Sequence, residues 1–127
     1  MSITITFVGD EQSVRAMEDA IDDPPCRRWR TGERQRRGTV AEDSGIRFEF
    51  SRDDDESTEA FQDDVATYLA DCAGHLVGCP GTVQTHVAIA GVMRGDMMSH
   101  SIMLSTALLL AAIQCDGSIE MTTYRGE

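Results

Sequence analysis

From Ile102 to Ile113 the chain is apolar at every position except Ser105 and Thr106. A helix apolar on most sides is buried on most sides. Twelve residues fall far short of the ~20 that span a bilayer. The run therefore predicts a core helix, capped by Ser99 or Ser101 and lying in the middle of a helical layer. The next stretch, Cys115-Asp116-Gly117-Ser118-Ile119-Glu120-Met121, reads as a turn into a short strand. Its Ile119 and Met121 point one way, and Glu120 and Thr122 the other.

The rest of the chain must supply partners for these two elements. Ile3, Ile5 and Phe7 alternate with Thr4, Thr6 and Val8 as a first strand. Asp10 then caps a helix through about Ile21, with Val14, Met17 and Ile21 as a narrow apolar stripe. Asp22-Asp23-Pro24-Pro25 ends that helix, because a residue before proline is pushed out of the helical region. Residues 24–44 are polar, glycine-punctuated and aperiodic, and predict a long arginine-rich loop with a short strand near Thr39-Val40.

Gly45 opens a second strand, with Ile46, Phe48 and Phe50 inward and Arg47, Glu49 and Ser51 outward. Phe61, Val65, Tyr68, Leu69, Cys72 and Leu76 mark a helix ending at Gly74 or Gly78. A third strand runs from Thr82 to about Val92, with Val83, Thr85, Val87 and Ile89 on one side. The resulting order, β-α-β-α-β-α-β, predicts an α+β two-layer sandwich. It has a four-stranded mixed sheet and three helices on one face. The other face meets water or a partner.

A chain of 127 residues suits a single domain, 1–127. Met1-Ser2-Ile3-Thr4 enters a strand pattern at once, so no signal peptide is expected and the expected location is the cytoplasm. The net charge of −11 disfavours nucleic acid and anionic membranes as partners. Charge is nonetheless uneven. Between Arg27 and Arg37 lie six of the eleven arginines against one acid, Glu33, a local +5 that leaves −16 for the remainder.

Four stretches bear on chemistry. The first is the arginine loop, whose Arg27, Arg28, Trp29, Arg30, Arg34, Arg36 and Arg37 can clamp a phosphate and offer a stacking ring. It can equally pair with the acidic remainder of the chain. The second is the acidic stretch Asp53, Asp54, Asp55, Glu56, Glu59, Asp63 and Asp64. Its first part sits at a helix N-terminus, where the macrodipole favours acids without any cation. The third is the outer sheet face of Arg47, Glu49, Gln84, His86, Glu120 and Thr122. There His86 beside Glu49 or Glu120 makes either an acid–base pair or a cross-strand salt bridge. The fourth is Cys72-x2-His75-x3-Cys79, which lacks the tight Cys-x2-Cys knuckles of zinc sites and reads as ordinary thiols; no metal and no cofactor are expected. His100, between serines, has no acid placed to orient it. Met93, Met97, Met98 and Met103 can offer an adaptable contact surface, although Met103 is expected in the core. No P-loop, Gly-x-Gly-x-x-Gly, Gly-x-Ser-x-Gly or His-Glu-x-x-His motif occurs.

Several features recur together: a first strand ending in Gly9-Asp10, an early helix, and a Gly32-Glu33 turn before the Ile46 to Phe50 strand. A closing helix from Leu104 to Ile113 and a strand from Ile119 to Tyr124 complete the pattern. In this the chain resembles immunity proteins associated with contact-dependent inhibition and other polymorphic toxin systems. The resemblance implies a cognate toxin as partner and no catalytic residues. An acidic surface suits the same role, since it steers a small protein onto a basic toxin. The expectation is thus a non-enzymatic, toxin-neutralising protein that binds through Asp53, Asp54, Asp55, Glu56, Glu59, Asp63 and Asp64. The alternative is a phosphate-ligand- or nucleotide-binding domain, with or without enzymatic activity, using the Arg27 to Arg37 loop with His86. A homodimer through the open sheet face is compatible with both.

Overall fold

The structure is a computed structural model and describes residues 1–52, 58–93 and 103–125. Eight elements follow one another. These are β1 (Ser2–Gly9), α1 (Glu11–Ala20), β2 (Arg27–Trp29), β3 (Ser44–Ser51), α2 (Thr58–Val77), β4 (Val83–Met93), α3 (Thr106–Gln114) and β5 (Ser118–Arg125). The architecture is α+β with one mixed sheet and three helices, but the sheet has five strands rather than four, in the order β2-β3-β1-β4-β5.

Strand directions follow from the pairing. β1 is antiparallel to both β3 and β4, so those two run the same way with β1 between them and α2 bridging over it. By the same logic β2, antiparallel to β3, runs with β1, and α1 bridges over β3. Two interleaved split β-α-β units result, the β-α-β-β-α-β arrangement of ferredoxin-like topologies. To this α3 adds β5, parallel to β4. A topology used by so many unrelated proteins says nothing by itself about activity.

Alternation decides which side of the sheet is covered. Ile3, Ile5, Phe7, Ile46, Phe48, Val87 and Ile89 are all buried and meet Val14, Met17, Phe61, Val65, Leu69 and Leu108 from the helices. Removing each such side chain from water is worth roughly 1.5–3 kcal/mol, so this interface is the main source of stability. α1 begins as expected at Asp10, whose carboxylate accepts the Ser13 N–H at 3.0 Å. A side-chain hydrogen bond with Ser13, followed by that backbone one, holds the Asp10 pKa below the ordinary carboxylate value.

Two expectations need correction. The additional strand, β2, lies inside what the sequence presents as loop 24–44. Its three residues carry no apolar alternation because β2 is an edge strand, held by its pairing to β3 rather than by a buried face. Beyond it the chain forms a hairpin arm instead of an irregular loop. Arg34 bridges Val40, Gln35 N–H donates to Thr39 O at 2.7 Å, and Gly38 N–H donates to Gln35 O at 3.0 Å. Gly38, at φ +80°, takes the left-handed position that closes a type I turn in a three-residue hairpin loop.

The second correction concerns the apolar run. α3 starts at Thr106, not Ile102, because the Ser105 hydroxyl accepts the Leu108 N–H and stops the helix there. Ser99 and Ser101, the expected caps, fall outside the described residues. Nor is α3 central. α2 packs against α1 on one side and α3 on the other, so α2 holds the middle of the layer. α3 buries Leu108, Ala111 and Ala112 and leaves Leu109, Leu110 and Ile113 exposed.

Candidate functional site

Strand register places one row of side chains across the uncovered face. Arg27 on β2 lies opposite Arg47 on β3, Arg47 opposite Thr6 on β1, Thr6 opposite His86 on β4, and His86 opposite Ser118 on β5. One row along, Glu49, Thr4, Ala88 and Glu120 follow each other in the same way. Adjacent strands are ~4.8 Å apart, so neighbours in a row are within side-chain reach.

At the β5 end, His86 Nδ1 is 2.7 Å from Ser118 Oγ and Nε2 is 3.1 Å from Glu120 Oε2. The ring is therefore gripped from both sides, with one partner directly opposite and one diagonal. His86 pairs with Glu120 rather than Glu49, because β4 neighbours β5 while β3 lies beyond β1. Beside this cluster a cleft of about 580 Å³ opens at the sheet end, lined by Val8, Gln84, Thr85, His86, Asp116, Gly117 and Ser118, among others. Thr85 Oγ1 is buried and has no hydrogen-bond partner among the described residues.

At the β2 end, the Trp29 indole lies across Gly45, where a Cβ would collide with the ring. The Arg27 guanidinium stands over the same indole at 5.4 Å. Arg27 Nη2 donates to Gln35 Oε1 at 3.2 Å, and Arg47 Nε to Thr6 Oγ1 at 3.3 Å.

The arginines of the 24–44 segment thus divide by position. Arg27 and Trp29 share the open face with His86. Arg28 and Arg30 turn to the helical side and converge on Glu18 of α1, at 3.3 and 3.2 Å. Arg34, Arg36 and Arg37 are exposed on the arm and form no ion pair among the described residues. The acidic stretch divides too. Asp53, Asp54, Asp55 and Glu56 lie outside the described residues. Glu59, Asp63 and Asp64 are exposed on the first turns of α2, and Asp64 pairs with Arg52 at 3.4 Å. Glu59, Asp63 and Asp64 therefore lie on the side of the sheet away from the row that holds Arg27 and His86, since α2 covers the face which that row avoids.

No three His, Cys, Asp or Glu side chains among the described residues converge on a metal-sized site. Cys72 is buried, His75 is exposed, and the Cys79 thiol lies against Ser13 O and His75 O. Burial pushes the Cys72 thiol up to about 12 and the Cys115 thiol to about 11, so both are protonated and unreactive at neutral pH. Strand alternation puts Arg47 on the outer face but assigns it no role, and no local pattern singles out Ser118. Alternation supplied the face, but neighbours across strands depend on strand order, which has no local signal.

Large exposed apolar side chains gather elsewhere. Leu110 and Ile113, one turn apart on α3, are 55% and 72% exposed; Met103, in the extended lead-in to α3, is 80% exposed rather than in the core, and Met121 on β5 is 52% exposed. By contrast Thr4, Thr6, Ala88 and Ala90 form the middle of the open face. No helix of the described residues is long and apolar enough to cross a membrane. Compared with known proteins, the chain matches no family model, no curated sequence and no solved structure.

Proposed function

We propose that this chain is a cytoplasmic binding protein of the toxin-neutralising, immunity type, engaging a basic partner with the outer side of its helical layer. The observation that carries this reading is a set of exposed apolar side chains beside Glu59 and Asp63, which form no ion pair among the described residues. Gln62 Nε2 donates to Met103 O at 2.7 Å, so the exposed Met103 lies next to the α2 turns that carry Glu59 and Asp63, and Leu110 and Ile113 follow on the exposed side of α3. α2 contains no arginine or lysine along its twenty residues. Glu59 and Asp63 stand at i and i+4, a like-charge spacing that costs a helix ~0.2–0.5 kcal/mol.

An apolar centre flanked by charge is the anatomy of a protein interface, with the apolar residues supplying affinity and the charges encounter rate and selectivity. A net charge of −11 steers a basic partner from a distance. The role is binding rather than catalysis, and needs no cofactor.

Co-expression with the product of the adjacent gene, followed by pull-down and a protection assay, tests the proposal. A stable complex is expected, with Leu110→Glu and Ile113→Glu abolishing it in a folded protein. Glu59→Lys with Asp63→Lys should slow association and remove its salt dependence. Absence of both complex and protection would sink the reading, as would a complex indifferent to all four changes. Self-association through the same apolar side chains is distinguished by a solution mass that halves in Leu110→Glu without any partner present.

A further inference from the structure

We propose that the open sheet face binds a small phosphate monoester between the guanidinium groups of Arg27 and Arg47. Register is the starting point. The two arginines are direct antiparallel partners, on the same side of the sheet. Side chains in that relation have Cβ atoms about 4.5–5.5 Å apart, and like charges there are destabilising. A chain with twice as many carboxylates as arginines has ample means to neutralise them. It does so for neighbouring arginines, since Arg28 and Arg30 both reach Glu18.

Arg27 and Arg47 instead take neutral partners. Gln35 Oε1 and the Trp29 ring hold Arg27, and Thr6 Oγ1 holds Arg47. Such contacts fix the direction of a guanidinium and leave its charge unspent. From directly paired strand positions, the remaining N–H groups of both arginines can converge on the three terminal oxygens of a phosphate monoester, which accept in the forked geometry that arginine favours. Trp29, held against Gly45, forms one wall, and His86 lies two strands from Arg47 in the same row.

Charge also limits the class of ligand. Glu49 and Glu120 occupy the next row, and the molecule as a whole is strongly acidic. A polyanion such as nucleic acid would lie across those carboxylates and be repelled. A small dianion fits within the arginine row, at distances shorter than the ~8–10 Å over which salt screens. The carboxylates of the next row can accept hydroxyl groups carried by the rest of the ligand. This site is independent of the partner surface on the helical side.

The test compares melting temperature in inorganic phosphate with that in sodium chloride of equal ionic strength, for the wild type, Arg27→Gln, Arg47→Gln and Arg28→Gln. Wild type and Arg28→Gln should melt several degrees higher in phosphate. Arg27→Gln and Arg47→Gln should lose that shift, with phosphate affinity by titration falling at least tenfold. Without phosphate, both should melt at or above wild type, because a like-charge contact has been removed; a merely structural role for the pair predicts the reverse. No phosphate-specific shift in the wild type, or an equal shift in all four proteins, would overturn the proposal.

Discussion

α2 and α3 pack against each other, yet their sequences misrepresent their positions. α3 is almost wholly apolar and lies at the edge of the helical layer, with Leu110 and Ile113 more than half exposed. α2 carries a charge or polar group on nearly every turn and occupies the centre, burying Phe61, Gln62, Val65, Ala66, Leu69 and Cys72. Average hydrophobicity thus predicts burial only where every apolar residue is there for the core. On α3 one side serves the core through Leu108, Ala111 and Ala112, and the opposite side remains available to a partner. An exposed apolar side looks, in sequence, like a buried one.

The largest expected effect separates those two sides directly. Leu108 is fully buried, and Leu108→Asp places a carboxylate in the core. A loss of about 4 kcal/mol or more, enough to unfold a domain of ordinary stability, is expected. Leu110→Asp, two residues on, should shift stability by no more than about 1 kcal/mol. Circular dichroism during urea titration reads both. Equal loss in the two variants would mean that α3 is enclosed on all sides and that the comparison fails.

Next in size is the polar group at the centre of α2. Gln62 is fully buried, and its amide works as a clamp: Nε2 donates to Met103 O, and Oε1 accepts the Ser105 N–H at 2.7 Å. Gln62→Ala leaves a buried N–H and a carbonyl without partners, a loss of roughly 2–3 kcal/mol. Gln62→Glu keeps the acceptor but sets a carboxylate against a carbonyl oxygen. Its deficit relative to wild type should therefore shrink as pH is lowered toward 4 and the new acid is protonated. A deficit independent of pH would show that the amide's donor side contributes nothing.

These two helices also show what sequence can and cannot reveal. Burial in β1, α1, β3, α2 and β4 follows local periodicity: Ile3, Ile5 and Phe7, or Phe61, Val65 and Leu69, betray their side by spacing alone. β2 has no such signal, since Arg27, Arg28 and Trp29 become a strand only through pairing with Arg47, Ile46 and Gly45. The arm is held by backbone hydrogen bonds that most residues could make. The lateral place of α3, the adjacency of Arg27 and Arg47, and the grip of Ser118 and Glu120 on His86 all depend on strand and helix order. That order is a property of the whole chain.

A smaller effect comes from thiols near the α2–α3 contact. The Cys115 thiol approaches Leu69 O of α2, and burial raises the pKa of Cys72 to about 12 and of Cys115 to about 11, from an ordinary value of 9.0. A raised folded pKa means that these groups contribute in full below about pH 9, and that the contribution is lost as pH rises from there toward 11–12. Tyr68, also raised by burial, acts in the same direction. Denaturation midpoints should hold steady from pH 7 to 8.5 and fall by pH 10.5. In the double variant Cys72→Ala, Cys115→Ala the fall should be shallower, although the starting stability is lower. An unchanged slope would place the alkaline loss outside this contact.

The smallest expected effect concerns how α3 begins. Ser105 Oγ accepts the Leu108 N–H at 3.1 Å, while the Ser105 N–H is itself held by Gln62. One residue is therefore fixed both by its own helix and by the neighbouring one. Ser105→Ala removes only the first of these, for an expected loss of ~1 kcal/mol. Ser105→Gly should cost less than Ser105→Ala, as it does at helix caps generally, because glycine leaves the end of the helix open to water. In the double variant Ser105→Ala, Gln62→Ala the losses should not add, since the two hydrogen bonds fix the same turn. Strict additivity would mean that α2 seats the Met103 to Ser105 segment without helping to start α3. The central helix would then position its apolar neighbour but have no part in its folding.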